Sequence, residues 1–357
     1  MRYCIKDTDN SFETFFDSDT GFYYRSGILD SEGNDTGKDP FSASFPHLID
    51  VGIMGHCVHG KLGLCSKAGI GCYQSGKFVE KPNMSADDFK KIAEQCRGKC
   101  FQFALGGRGD PDMHEHFEQI LKICRQNRIV PNFTTSGYGM THKKARLCYD
   151  YCGAVAVSWY RSEYTFRAIE MLLEAGVKTN IHFVLGKNSV DEAVQRLKSD
   201  DFPKGINAVI FLLHKPAGQG SRDNVLDAAG GSVREFFEQF DRPHVFKLGL
   251  DSCSVPGIIN YCRKVLPQSV DTCEGARFSA YIDSELKMSP CSFDRKEEYA
   301  VSLEKRSIRD VWRSDAFEKF RRRLKSSCPG CPKRELCLGG CPIFPETTLC
   351  KNKERKQ

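Results

Sequence analysis

LIDVGIMGHC, residues 48–57, and FQFALGGRGDP, residues 101–111, decide how this chain reads. Each begins as an apolar run of strand length and ends in a loop of chemically distinctive residues. After the first run come Cys57, Cys65 and Cys72, spaced C-x7-C-x6-C, in a loop that also carries Gly60, Gly63, Gly69 and Gly71. After the second come Gly106, Gly107 and Gly109, then Asp110 and Pro111. Three thiolates from one loop can hold three irons of a [4Fe–4S] cluster and leave the fourth iron for a small molecule. The same thiolates would also suit a zinc ion with one open position. Glycines let backbone approach a ligand closely, and a carboxylate beside them can bind an ammonium group.

The strand-then-loop pattern repeats. Further strands are expected at Val130–Thr135, Ala154–Trp159, Thr179–Leu185, Ala208–Leu213 and Phe246–Leu250. Helices lie between them. Ser85 can cap one that puts Phe89, Ile92, Ala93 and Cys96 on one face. Phe117, Ile120, Leu121 and Cys124 form the stripe of a second, and a third runs from Tyr164 to a glycine stop at Gly176. Repeated strand–helix units imply a parallel sheet, doubly wound or curled into a full or partial barrel. In barrels the chemistry sits in loops at the C-terminal ends of the strands, where both distinctive loops fall.

Composition bounds the rest. The chain has 357 residues, 40% hydrophobic and 27% charged, which suits one large globular domain plus a smaller one. It contains no apolar run near the ~20 residues of a membrane helix and no signal region at its start, so a cytoplasmic protein is expected. The net charge of +6 is modest. Its late basic runs, Arg321-Arg322-Arg323 and the tail from Lys351 to Lys356, read as a solvated helix face and a tail rather than a nucleic-acid patch. Cysteine is the outlier, at 18 residues. A reducing compartment does not keep that many as disulfides, so spaced cysteines point to metal or redox chemistry.

Residues 1–46 form a leading segment with a hairpin turn at Asp17–Gly21, between Phe15-Phe16 and Phe22-Tyr23-Tyr24. Residues 47–250 carry the strand–helix repeats, 251–271 form a bridge, 272–350 form a second, metal-organised domain, and 351–357 are a basic tail. The second domain reads Cys273, Cys291, Cys328-x2-Cys331-x5-Cys337-x3-Cys341 and Cys350. Two fully ligated [4Fe–4S] clusters need eight cysteines, and this run supplies seven. Cys253, directly after the last strand, is favoured over Cys262 as the eighth. A structural zinc domain is the alternative for this set. Cys4, Cys96, Cys100, Cys124, Cys148 and Cys152 read as core or surface thiols.

On these residues the chain resembles the radical S-adenosylmethionine (SAM) superfamily, in which a three-cysteine loop follows strand one and a Gly-Gly-Glu-Pro-like motif follows strand two. Its C-terminal run resembles the SPASM extension, which binds two auxiliary clusters. The resemblance implies an α/β fold: a partial (β/α)6 TIM-like barrel with a small C-terminal cysteine-rich domain. It implies three [4Fe–4S] clusters and SAM as cofactors. Cys57, Cys65 and Cys72 would hold the SAM-binding cluster. Cys253, Cys273, Cys291 and Cys341 would hold one auxiliary cluster, and Cys328, Cys331, Cys337 and Cys350 the other. Asp110 would meet the SAM amino group beside Gly106, Gly107 and Gly109. Ser136, in Thr134-Thr135-Ser136-Gly137, and Ser158 would lie near the cofactor, the alternative being ordinary strand-end hydrogen bonding. The family's usual loop is C-x3-C-x2-C with an aromatic before the last cysteine. Here Gly71 stands there and Tyr73 follows, so Tyr73 is expected to stack on adenine. A glycine usual five residues before Cys291 is Leu286 here.

The implied activity is reductive cleavage of SAM to a 5′-deoxyadenosyl radical that modifies a peptide, as a maturase making a thioether, a carbon–carbon crosslink or an epimer. The alternatives are an anaerobic sulfatase-type protein maturase, a small-molecule dehydrogenase, and a non-catalytic iron–sulfur or zinc scaffold. Expected partners are a peptide or small protein substrate and an electron donor such as flavodoxin or ferredoxin. Leader recognition would need a separate leader-binding protein or the barrel surface, because 46 leading residues are too few for a winged-helix domain. No acid–base residue is assigned, and His114, His116, His182 and His214 read as structural.

Overall fold

The computed structural model describes residues 2–266 and 269–350; the basic tail 351–357 lies outside the described residues. Arg2–Asp7 (β1), Phe12–Asp17 (β2) and Tyr23–Arg25 (β3) make a small antiparallel sheet. The expected turn joins β2 to β3. The Asp17 carboxylate accepts the Asp19 amide at 2.9 Å, and Gly21 takes φ +76°. This sheet packs Tyr3, Phe16 and Tyr23 onto Phe101 and Val130, at the starts of two barrel strands. It therefore closes the end of the barrel opposite the distinctive loops.

The main sheet begins with seven parallel strands: Leu48–Met54 (β4), Gln102–Gly107 (β5), Val130–Thr135 (β6), Val155–Ser158 (β7), Thr179–Leu185 (β8), Ala208–Leu213 (β9) and Lys247–Leu250 (β10). Short turns Val58–Lys61 (α1) and Leu64–Lys67 (α2) follow β4, and then Ala86–Cys96 (α3). The other crossovers are Phe117–Gln126 (α4), His142–Tyr151 (α5), Glu163–Glu174 (α6), Val190–Ser199 (α7) and Gly231–Gln239 (α8). Local chemistry explains their limits. Ser85 accepts the Asp88 amide to start α3, and Gly176 at φ +79° stops α6. The stripe Phe117, Ile120, Leu121 and Cys124 is buried; cutting Ile120 to Ala would cost about 2–5 kcal/mol.

The strand order runs β10-β9-β8-β7-β6-β5-β4 without reversal. A doubly wound sheet would reverse at a switch point. Right-handed crossovers in one direction instead place every helix on the same face and leave the other face to curl around a cavity. Side chains alternate accordingly. Ile49, Val51 and Ile53 of β4 are fully buried under the helices, and Asp50 points the other way. On β8, Ile181 and Phe183 are buried while Asn180 and His182 face inward. The sheet remains open, a partial barrel of seven consecutive parallel strands that an eighth parallel strand extends beyond β4.

It also runs past residue 272, where the sequence suggests a new unit. After Val255–Tyr261 (α9), Ser279–Ile282 (β11) pairs in parallel with β4, Tyr281 opposite Asp50. Lys287–Ser289 (β12) and Val301–Ser302 (β13) then add antiparallel. Leu286, in the β11–β12 turn, adopts φ +61°. That left-handed conformation is what a glycine supplies without steric penalty. Ile308–Trp312 (α10) and Asp315–Lys325 (α11) bury Trp312, Phe317 and Phe320, and the Trp312 indole donates to the Ala43 carbonyl at 2.9 Å. Arg334–Cys337 (α12) lies among the last cysteines. No helix of the described residues is long and apolar enough to cross a membrane.

Candidate active site

A cavity of about 490 Å³ opens at the C-terminal ends of the parallel strands. Cys57, Cys65 and Cys72 all line it, together with Gly106, Gly107, Gly109 and Asp110. Cys57 caps α1, its sulfur accepting the Gly60 amide at 3.1 Å. A Cβ at Gly76 would lie 2.8 Å from the Cys57 Cβ, so only glycine lets the returning chain pass there. Cys65 lies 3.0 Å from Nδ1 of His59, whose Nε2 meets the Tyr164 hydroxyl at 2.8 Å. Burial pushes His59 down to about 4, so the ring is neutral. The neutral ring carries one N–H, so it donates to either the sulfur or the hydroxyl and accepts at its other nitrogen.

Burial pushes Cys57 up to about 12, with the charges of Asp110, Cys65 and Cys72 adding to it. Burial pushes Cys65 up to about 11, Cys72 and Asp110 adding likewise. Thiolates crowded beside a carboxylate without a cation resist ionisation, and a bound metal reverses that balance. Among the described residues, no three His, Cys, Asp or Glu side chains converge on a point that one metal ion would fill. A [4Fe–4S] cluster takes one thiolate per iron, so its ligands surround a body rather than a point. The donor set around the cavity fits that group.

The glycine loop is shaped by close approach. Gly107 has φ +113° and a Cβ there would lie 2.4 Å from the Met54 carbonyl; at Gly109 it would lie 2.3 Å from that of His56. Gly106 has open space before it, so backbone itself walls the cavity. Asp110 accepts from Ser136 twice. Burial, then the nearby Asp112 charge, push it up to about 6. Arg108 lines the cavity with its Nε buried and unpartnered.

Ser158 and Tyr73 also line the cavity, but Tyr73 packs on Phe293 at 4.5 Å between ring centres. Ser136 stands behind Asp110 rather than on the cavity wall. His182 and His214 both reach the wall. His182 meets the Thr134 hydroxyl at 3.0 Å, and burial pushes it down to about 4.

Four other lining residues carry no motif: Asp50, His59, Tyr160 and Lys215. The one local signal is a carboxylate inside an apolar strand, at Asp50. It has no hydrogen-bond partner among the described residues, and burial pushes it up to about 7. Lys215, 1% exposed, donates to Asp251 at 3.0 Å and to the Leu213 carbonyl at 3.1 Å. Burial opposes its charge, but Asp251, Cys253 and Cys341 outweigh that and push it up.

Eight of the remaining cysteines fall into two groups. Cys253 and Cys341 are hydrogen-bonded; that contact and burial push Cys253 up. Burial pushes Cys273 up to about 12, with the Cys253 charge adding. Cys291 is pushed up by burial, then by Cys253 and Cys273. Cys337 is pushed up by burial, with Cys328, Cys331 and Cys350 adding. Cys262 joins neither group; its thiol donates to the Phe237 carbonyl at 3.4 Å. Cys96, Cys100, Cys124 and Cys148 are buried in the core, and Cys4 is exposed.

Residues 273–332 match a family model described as SPASM, iron-sulfur cluster-binding domain. No curated protein matches the chain by sequence. In fold it is similar to Streptococcus suis SuiB bound to S-adenosylmethionine, at 16% identity and a TM-score of 0.66, over 87% of this chain and 78% of that one. It is also similar to SuiB bound to precursor peptide SuiA, at 14% identity and 0.66, over 98% of this chain and 100% of that one. The same holds for anSMEcpe with bound AdoMet, at 14% identity and 0.59, over 87% and 92%. The C-terminal segment thus matches a SPASM iron–sulfur cluster-binding domain, and the chain as a whole shares the fold of SuiB and anSMEcpe.

Proposed function

We propose that this protein is a radical SAM enzyme that modifies a peptide substrate. The observation that carries the reading is the meeting of three thiols from one loop with Asp110 and its glycine loop on a single cavity. Cys57, Cys65 and Cys72 would hold the SAM-binding [4Fe–4S] cluster. Cys253, Cys273, Cys291 and Cys341 would hold one auxiliary cluster, and Cys328, Cys331, Cys337 and Cys350 the other. When bound, the first cluster and SAM would supply a 5′-deoxyadenosyl radical able to take hydrogen from an unactivated carbon.

The chain's own residues bind and orient. Asp110 receives the SAM amino group, fixed by Ser136. Gly106 lets the cofactor lie against backbone. His59 holds Cys65 in place through its ring. Lys215 and Phe293 wall the side toward Cys253 and Cys291, the ammonium 4.6 Å from the ring centre, and exclude water there. A peptide substrate is supported by the fold likeness to SuiB with its precursor peptide. The bond made would be a thioether, a carbon–carbon crosslink or an epimerised centre. The thiol ligation favours a reducing, cytoplasmic setting.

The test is anaerobic reconstitution, reduction with dithionite and measurement of 5′-deoxyadenosine from SAM. Wild type should form it, and a Cys57→Ala/Cys65→Ala/Cys72→Ala variant should not. An iron-loaded wild type inert toward SAM, with and without peptide, would favour a non-catalytic scaffold.

A further inference from the structure

Among the described residues, Asp50 and Asp110 are the carboxylates that line the cavity, and the proposed chemistry uses only Asp110. Asp50 lies deeper. It is in register with Ala104 of β5 and with Tyr281 of β11. Met54, the last residue of β4, stands four residues further on, about 13 Å along the strand, and the cysteine loop begins beyond it. Ala104 comes six residues before Asp110. An ammonium held at the glycine loop therefore does not also serve Asp50.

No described residue answers its charge. Asp50 makes no hydrogen bond, and burial is the sole cause of its upward shift, with no cation near enough to offset it. The other charged and basic groups of the wall do not supply one. Lys215 is bound to Asp251 and to the Leu213 carbonyl. His59 and His182 are neutral, both pushed down to about 4 by burial. Tyr281 reaches past its cross-strand neighbour: a Cβ on Gly52 would lie 2.7 Å from the Tyr281 hydroxyl, so the ring leans to the level of Gly52. A desolvated carboxylate without a partner costs free energy. Where such a group faces a ligand cavity, the ligand can supply the partner, and a cation with hydrogens to donate is the best one.

The wall around Asp50 says what can carry that cation. Ala104 stands beside it, and Gly106, the next inward residue of β5, has open space before it. Val184 and Leu212 add apolar surface. An unbranched aliphatic stem suits such a lining, whereas a descending backbone would bury amides without partners.

We infer that Asp50 is the counterion for a basic side chain of the substrate, a lysine or arginine whose stem descends from the cavity mouth. The inference rests on the function proposed above and names the residue type that the site admits. The ion pair anchors the far end of the side chain and so fixes its stem carbons in the cavity.

The test reads binding before any reduction, on the reconstituted holoenzyme with SAM, at about pH 8, where Asp50 is mostly ionised. The probes are Nα-acetyl-lysine amide and its 6-hydroxynorleucine analogue, which keeps the stem and replaces the ammonium by a hydroxyl. Isothermal titration calorimetry should show the ammonium probe bound about tenfold tighter or more. In Asp50→Asn the ammonium probe should lose that advantage while the hydroxyl probe stays within about twofold, and Asp50→Glu should keep part of it. Iron content equal to wild type shows that each variant has folded and loaded. Equal affinities in wild type, no binding of the ammonium probe, or a preference that survives Asp50→Asn would overturn the counterion site and leave the proposed function standing. A wild type that forms no 5′-deoxyadenosine with dithionite would overturn the proposed function and the substrate assignment with it.

Discussion

Ser136 holds Asp110 by both oxygens, its amide donating at 2.8 Å and its hydroxyl at 2.5 Å. The carboxylate is thereby aimed, and its charged form is favoured against the burial that pushes it up to about 6. Removing the hydroxyl should raise that value further. A SAM ammonium needs the ionised carboxylate, so affinity should increase as pH rises through about 6, and in Ser136→Ala the rise should come at higher pH. Equilibrium dialysis of SAM against the reconstituted protein from pH 6 to 8.5 checks this. Ser136→Ala should weaken binding about tenfold at pH 7, the worth of one charge-assisted hydrogen bond, and Asp110→Asn should weaken it more. An unchanged profile would remove Asp110 from SAM binding.

The Lys215–Asp251 pair predicts a different asymmetry. Lys215→Met leaves Asp251 partly buried and uncompensated, and should cost about 3 kcal/mol. The double variant Lys215→Met/Asp251→Asn should recover part of that. Denaturant melts of the four proteins give the coupling directly; additive losses would mean the contact is energetically idle.

Asp50 predicts a pH dependence of stability. Its folded-state value is about 7, against an ordinary 3.8. Between those values the folded protein keeps a proton that the unfolded chain releases. Stability from this group is therefore full below about pH 4, declines as pH rises to about 7 and is flat above. Asp50→Asn lacks the decline. Relative to wild type it should gain about 2 kcal/mol between pH 5 and pH 8, seen as a melting-temperature difference that opens with pH. A difference independent of pH would mean that a cation or water already serves Asp50.

Iron content separates the cysteine assignments. Cys253→Ala should lose up to about four irons of about twelve, while Cys262→Ala, whose thiol bonds to the Phe237 carbonyl, should lose none. Cys337→Ala should deplete the other auxiliary set and leave 5′-deoxyadenosine formation with dithionite intact. Iron analysis with absorbance near the sulfur-to-iron charge-transfer band reads all three.

Much of this architecture is written locally. Strands β4, β6, β8 and β9 fall on the residues that the sequence indicates, because each carries its own short apolar or alternating pattern. The glycine and cysteine loops are legible because their residue types admit few other uses. What escapes sequence reading is long-range. Ser279–Ile282 is four residues long, and nothing local says that it extends the barrel from the far side. Leu286 hides a left-handed turn because its side chain does not advertise one. Asp50 and Lys215 carry no motif; only the fold shows that one is left without a partner and the other meets Asp251. Tyr73 is equally instructive. It lines the cavity as its place beside Cys72 suggests, and Phe293, more than 200 residues on, packs against its ring, a contact that nothing local indicates.

The pairing of β11 with β4 also sets a constraint on biosynthesis. Leu48–Met54 leaves the ribosome early, yet the strand that covers its edge is completed only at Ile282. Throughout that interval a largely apolar parallel strand offers an open hydrogen-bonding edge, which is a template for aggregation. Chains truncated before Ser279 should be captured by chaperones or form inclusion bodies, while chains reaching past Ser302 should escape. The last strands of this protein act as a seal on its first barrel strand, so translation speed through the middle of the message becomes a determinant of yield.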